Sequence, residues 1–126
     1  MDIEAIQNDR MPRALGPYSQ VVRAGDPLFV SGQPGLDPAT GAVPDGGFEA
    51  EAQMAFTNLR RALEAADSGL HRVVKTTVFL ASADLFPAMN VLYGEAFPSA
   101  PPVRSTPIVA LPRGLRISIE AIAARE

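Results

Sequence analysis

The C-terminal quarter of the chain contains the stretch that decides the fold, LRISIEAIA at residues 115–123, with PPVRST upstream at residues 101–106. The first stretch alternates apolar and polar residues, which is typical of a β-strand with one buried face. The second delivers Arg104 after a stiff Pro-Pro pair. Because a guanidinium presents a planar fork of donors that matches a carboxylate, this placement suits a small organic acid. The alternative is an ordinary surface arginine in a salt bridge.

Composition limits the class of protein. A length of 126 residues predicts one domain, residues 1–126, and 47% hydrophobic residues favour a homo-oligomer. The net charge of −3 argues against nucleic acid as a partner. The sequence contains no cysteine, which excludes a disulfide scaffold, a thiolate nucleophile and a Cys-ligated metal site.

Targeting signals are not evident in the sequence. The N-terminal residues lack a basic region followed by an apolar run, and no stretch approaches eighteen apolar residues. We therefore expect a cytoplasmic protein with no membrane partner.

Periodicity predicts the order β-β-α-β-α-β-β. An amphipathic helix is predicted over 48–66, and a β-branched central strand over 73–80. The other predicted elements are a hairpin of strands 18–23 and 28–32, a second helix capped by Ser82 or Asp84 that ends near Phe97, and two C-terminal strands.

This order predicts an α+β fold in which two helices pack on one face of a mixed β-sheet. The second helix should bury Phe86, Met89, Tyr93 and Phe97. The other face of the sheet then needs a cover, for which we expect a partner subunit.

Polar candidates for chemistry are scattered along the chain. The only histidine, His71, has no spacing typical of a metal site or a catalytic triad, and is interpreted as a surface residue. Taken singly, the other candidates have ordinary explanations; Glu120, for example, could pair with Arg116. These candidates are Tyr18, Ser31, Asn90, Arg104, Ser105, Thr106, Ser118 and Glu120.

A resemblance that runs over nearly the full length brings these residues together. The motifs that carry it are GPYSQ at 16–20, VSGQ at 30–33, TG at 40–41, NL at 58–59, VKTTVF at 74–79, NVLY at 90–93, PVRS at 102–105 and EAIA at 120–123. They resemble the reactive intermediate deaminase (RidA/YjgF) family. The resemblance implies a chorismate-mutase-like fold, a homotrimer with ligand clefts between subunits, and hydrolysis of imines and enamines to 2-keto acids and ammonia. It implies no cofactor and no metal.

Carried over by position, Arg104 resembles the family's arginine that binds the substrate carboxylate. The resemblance also implies a group of substrate-binding residues around it: Tyr18, Ser31, Gly32, Asn90 and Thr106, the last at a place where many members have cysteine. Ser118 departs from the pattern, because many members have a glutamate there that orients the hydrolytic water. Glu120 lies two residues further on, and its side chain should point to the same face of the strand. The catalytic candidates are therefore Arg104, Ser118 and Glu120.

Two functions remain open from the sequence. The first is a hydrolase that acts on small 2-imino or enamine acids. The second is a non-catalytic protein of the same fold that binds small carboxylates, which the serine at position 118 favours. A ribonuclease is disfavoured, because the chain is acidic and has no pair of histidines.

Overall fold

The computed structural model describes residues 2–11 and 13–125. Within them the chain forms six strands and two α-helices: β1 (Ile3–Ile6), β2 (Val21–Ala24), β3 (Leu28–Pro34), α1 (Gly47–Ala65), β4 (Val73–Leu80), α2 (Phe86–Ala96), β5 (Val103–Ser105) and β6 (Ile117–Ala123). Neither helix combines the length and apolar character that crossing a bilayer requires.

The strands form one sheet with the order β1-β2-β3-β6-β4-β5. Only β4 and β5 pair in parallel among the described strands, whereas β6 pairs antiparallel with both β3 and β4. The stretch at 115–123 thus supplies a central strand, and the predicted mixed sheet is confirmed.

The alternation in β6 divides the sheet into two faces. Its odd-numbered residues, including Ile117 and Ile119, are buried beneath the helices. Ser118, Glu120 and Ile122 point to the opposite face, which we call the open face. Both helices therefore cover one face, as predicted.

The structure corrects the predicted start of the second helix. Helix α2 begins at Phe86, after a 3₁₀ turn at Ala83–Leu85, and no side chain caps it. The Ser82 hydroxyl hydrogen-bonds the Asp84 carboxylate instead of a helix N–H. Phe86 was expected in the core with Met89, Tyr93 and Phe97, but its ring remains 36% exposed.

Strand β1 was not predicted. It pairs with β2 at the edge of the sheet, and most of its side chains are exposed. An edge strand with almost no buried face has no alternating pattern to reveal it.

Candidate functional site

Arg104 lies in the middle of β5, a three-residue strand at the edge of the sheet. Its register partner on β4 is Thr76, which is fully buried under the helices, so Arg104 lies on the helix side. The guanidinium carbon is 4.7 Å from the ring centroid of Tyr93 and 5.3 Å from that of Phe86. Its Nη1 is 3.9 Å from the sulfur of Met89. The side chain therefore packs on one face of α2.

No carboxylate among the described residues lies within ion-pair distance of Arg104. The surface salt bridge considered as the alternative is therefore not formed within the described part of the chain. The guanidinium keeps N–H donors for a ligand, while the aromatic rings attract its charge without using those donors.

Tyr93 is the more buried of the two rings. Its hydroxyl lies 2.6 Å from Oγ1 of Thr76, the register partner of Arg104. Burial raises the pKa of Tyr93, while the hydrogen bond to Thr76 and the positive charge of Arg104 act in the opposite direction. A neutral, hydrogen-bonded phenol therefore lies beneath the guanidinium near neutral pH.

Two other predicted residues lie in this part of the molecule. Asn90 follows Phe86 by four residues and precedes Tyr93 by three on α2, which makes them surface neighbours on the helix. Its side chain is exposed. Thr106 follows the last residue of β5 and is half-buried. The structure thus groups Arg104 and Asn90 around α2, with Thr106 next to the strand.

Ser118 lies on the open face of β6, between Pro34 of β3 and Phe79 of β4. Gly32 is its close neighbour: a Cβ on Gly32 would be only 2.6 Å from the Ser118 oxygen. Gly32 therefore provides the space that the serine occupies. Ser31, next to it, donates its hydroxyl to the carbonyl of Ser19 at 2.6 Å, which fastens β3 to the segment before β2.

Glu120 lies on the same face and is exposed, as its spacing predicted. It is the register partner of Thr77 on β4. Thr77 accepts a long hydrogen bond of 3.4 Å from Lys75, and a cavity of about 30 Å³ lies among these side chains. A polar stripe therefore crosses the open face and consists of Ser118, Glu120, Thr77 and Lys75.

Tyr18 belongs to neither group in the described part of the chain. It is largely exposed, and its hydroxyl accepts a 3.2 Å hydrogen bond from the backbone N–H of Leu15. It lines a cavity of about 160 Å³ together with Gln33 and Asn58.

The predicted site residues therefore occupy two different faces of the sheet. Arg104 lies on the helix side at one edge, whereas Ser118 and Glu120 lie on the open side of a strand that is two positions further in. A single chain does not bring them together.

Sequence reasoning missed the contacts between the aromatic residues of α2 and Arg104. Tyr93 is buried in the core as predicted, whereas Phe86 is partly exposed, and both also contact Arg104. Their seven-residue spacing, two turns of one helix face, was visible, but the position of α2 against β5 was not. The interpretation of Glu120 as a partner of Arg116 is wrong, because Arg116 pairs with Glu51 at 2.7 Å.

Fold and site together define a small α+β protein with an arginine available for an anion at the edge of a mixed sheet. The sequence model of the family described as "Endoribonuclease L-PSP" matches residues 8–125. The chain belongs to this family, to which the RidA/YjgF proteins also belong. The predicted resemblance is confirmed.

Three relatives illustrate how extensive the similarity is. The mouse "2-iminobutanoate/2-iminopropanoate deaminase" is 43% identical over 121 residues, which cover 95% of this chain and 90% of that protein. The crystal structure of RidA from an Antarctic Psychrobacter species has a TM-score of 0.90 at 37% identity, covering 96% of this chain and 98% of that one. The structure of Escherichia coli TdcF with bound serine has a TM-score of 0.88 at 33% identity, covering 98% and 99%.

Proposed function

We propose that this protein hydrolyses small 2-imino and enamine acids to 2-keto acids and ammonia, with Arg104 binding the substrate carboxylate. The observation that carries the proposal is the guanidinium of Arg104, which packs on two aromatic rings and has no carboxylate partner among the described residues. The 43% identity to a mouse protein named as an imine deaminase supports the same reaction.

The chemistry makes modest demands on the protein. Water adds to the carbon of the protonated imine, and the C–N bond then breaks as a proton moves to nitrogen, which leaves a 2-keto acid and ammonium. The protonated imine is already electrophilic, so holding the carboxylate and placing the water supplies much of the acceleration. Arg104 performs the first task through its paired N–H donors.

A complete site requires a second copy of the chain, because Arg104 and Ser118 lie on opposite faces. We expect the open face to be covered in a homotrimer, with the ligand clefts between subunits. An apolar row crosses this face from Val22 through Phe29 to Ile122, in direct register. Burying this row would remove apolar surface from water. Light scattering at micromolar concentration should show a trimer, and a stable monomer would contradict the assembly.

Ser118 and Glu120 are the candidates for placing the water. The Ser118 hydroxyl can hydrogen-bond a water but cannot act as a base near neutral pH. The Glu120 carboxylate lies on the same face, about 6–7 Å away along the strand. If it takes the role of the family's usual glutamate, the water must lie nearer to residue 120.

The decisive experiment measures ammonia and keto-acid release from imines that an amino-acid oxidase generates in the assay. We expect release above the spontaneous rate. Ser118→Glu should increase it, because a carboxylate can hold and polarise the water, whereas the uncharged Ser118→Gln should not. Glu120→Gln should remove most activity only if Glu120 places the water. A wild-type rate equal to the spontaneous rate would contradict the hydrolase.

The second candidate function is a non-catalytic protein that binds small carboxylates. Ser118 favours it, because the residue cannot replace a carboxylate as a base. Such a protein would bind 2-ketobutyrate without accelerating imine hydrolysis, and Ser118→Glu would create activity that the natural chain lacks. The family's description mentions endoribonuclease, but the net charge of −3 and the single histidine do not favour RNA cleavage here.

A further inference from the structure

We propose that Phe86 and Tyr93 are positioning residues that set the plane of the Arg104 guanidinium and thereby the affinity for the carboxylate. The inference rests on the proposed function, because it concerns how the same arginine is prepared for its ligand. It assigns a binding role to two side chains that the sequence pattern indicated only as core.

The backbone alone gives Arg104 little restraint. Its strand has three residues and lies at the edge of the sheet, and the side chain has no carboxylate to hold it among the described residues. A free arginine samples many rotamers, and ordering them on binding would weaken the affinity for a ligand. A preorganised fork avoids that cost.

The two rings supply the missing restraint. Phe86 and Tyr93 are separated by seven residues, two turns of α2, so they lie on one face of the helix. Both ring centroids are within 6 Å of the guanidinium carbon, the range in which a ring face attracts a cation. Met89, between them, contacts Nη1 through its sulfur.

Tyr93 is itself held in place. Its ring packs against Phe97 with centroids 4.7 Å apart and meets Phe56 edge-on at 6.0 Å. Its hydroxyl is bonded to Thr76, which stands beside Arg104 across the β4–β5 pair. Arg104 on β5 thus contacts Tyr93 on α2, and Tyr93 is bonded to the strand β4 that pairs with β5.

Phe86 offers the cleaner test of the two, because it is partly exposed and its replacement is less damaging to the core. Phe86→Leu keeps an apolar side chain and removes the ring, whereas Phe86→Tyr keeps the ring. Phe48→Leu is the matched control, since Phe48 lies 5.9 Å from a different arginine, Arg116, that already has a carboxylate.

Calorimetry with 2-ketobutyrate should show affinity about fivefold weaker in Phe86→Leu, and near the wild-type value in Phe86→Tyr and Phe48→Leu. In an Arg104→Ala background, Phe86→Leu should cause no further loss, because its effect passes through the arginine. A similar loss with and without Arg104 would overturn the inference, since the ring would then contact the ligand itself. Unchanged affinity in Phe86→Leu would overturn it as well.

A second measurement needs no ligand. The NMR resonance of the Arg104 Nε–H should carry a ring-current shift that Phe86→Leu reduces and Phe86→Tyr retains. If the wild-type protein does not bind 2-ketobutyrate, the proposed function is contradicted. The NMR resonance still tests whether Phe86 positions the Arg104 guanidinium. A resonance that is unaffected by Phe86→Leu would overturn the positioning role on its own.

Discussion

Arg104 and Arg116 both lie against aromatic rings, but among the described residues only Arg116 has a carboxylate partner. The Arg116 side chain donates to Glu51 at 2.7 Å, and its backbone N–H donates to the other carboxylate oxygen at 2.8 Å. Glu51 is 1% exposed. Arg104 has rings and a sulfur as neighbours instead.

We interpret this difference as one between a structural cation, Arg116, and the cation that we propose binds the ligand, Arg104. Glu51 lies on α1, and the chain at Gly35 approaches it so closely that an added Cβ would come within 2.1 Å of the Glu51 carbonyl oxygen. Arg116 therefore neutralises the buried Glu51 carboxylate where strand and helix are tightly packed, and its N–H donors stabilise the fold. The donors of Arg104 serve no anion within the described chain, which is why we assign the ligand to that residue.

The largest expected effect tests the structural half of this comparison. Arg116→Ala should lower the free energy of unfolding by about 3 kcal/mol, because it leaves the buried Glu51 carboxylate without its cation. Arg104→Ala should cost no more than about 1 kcal/mol, the scale of a partly exposed cation–π contact. Urea unfolding of both variants measures the contrast, and equal losses would mean that the two arginines do not differ in this way.

A smaller effect tests the binding half. Arg104→Lys keeps the charge but loses the planar fork, so affinity for 2-ketobutyrate should fall about 10- to 100-fold, or about 1.4–2.8 kcal/mol. Calorimetry measures this loss. Arg116→Lys is the control and should leave that affinity intact while lowering stability. Unchanged binding in Arg104→Lys would refute the assignment of the carboxylate to this residue.

The elements that the sequence predicted well are those with a buried face. The helix expected over 48–66 spans Gly47–Ala65, and the strand expected over 73–80 has those bounds in the structure. Apolar periodicity reports burial directly, so it locates such elements. Strand β1 has almost no buried face and left no pattern.

The site was less predictable, because its contacts join distant parts of the chain. Thr76 and Tyr93, whose hydroxyls meet beneath Arg104, are separated by 17 positions, and nothing in either local pattern indicates the contact. The alternation in β6 did predict that Ser118 and Glu120 share a face, since that depends on the strand alone. It could not show that Arg104 lies on the opposite side, which depends on how β5 joins β4.

The smallest expected effect concerns the support under Arg104. Because the pKa of Tyr93 is raised in the folded protein by burial, the unfolded chain releases this proton at lower pH than the folded chain does. The stability that this group contributes is therefore complete below about pH 10 and is lost as the pH rises through the folded pKa.

Tyr93→Phe keeps the ring beneath the guanidinium but removes the titrating group and the hydrogen bond to Thr76. It should cost about 1 kcal/mol at neutral pH and make the decline of stability above pH 10 less steep. Urea unfolding at pH 7, 9 and 10.5 measures both effects, with Tyr18→Phe, which alters an exposed tyrosine, as the control. If the wild-type protein and Tyr93→Phe lose stability equally steeply above pH 10, the neutral phenol does not contribute to the fixed arrangement beneath Arg104.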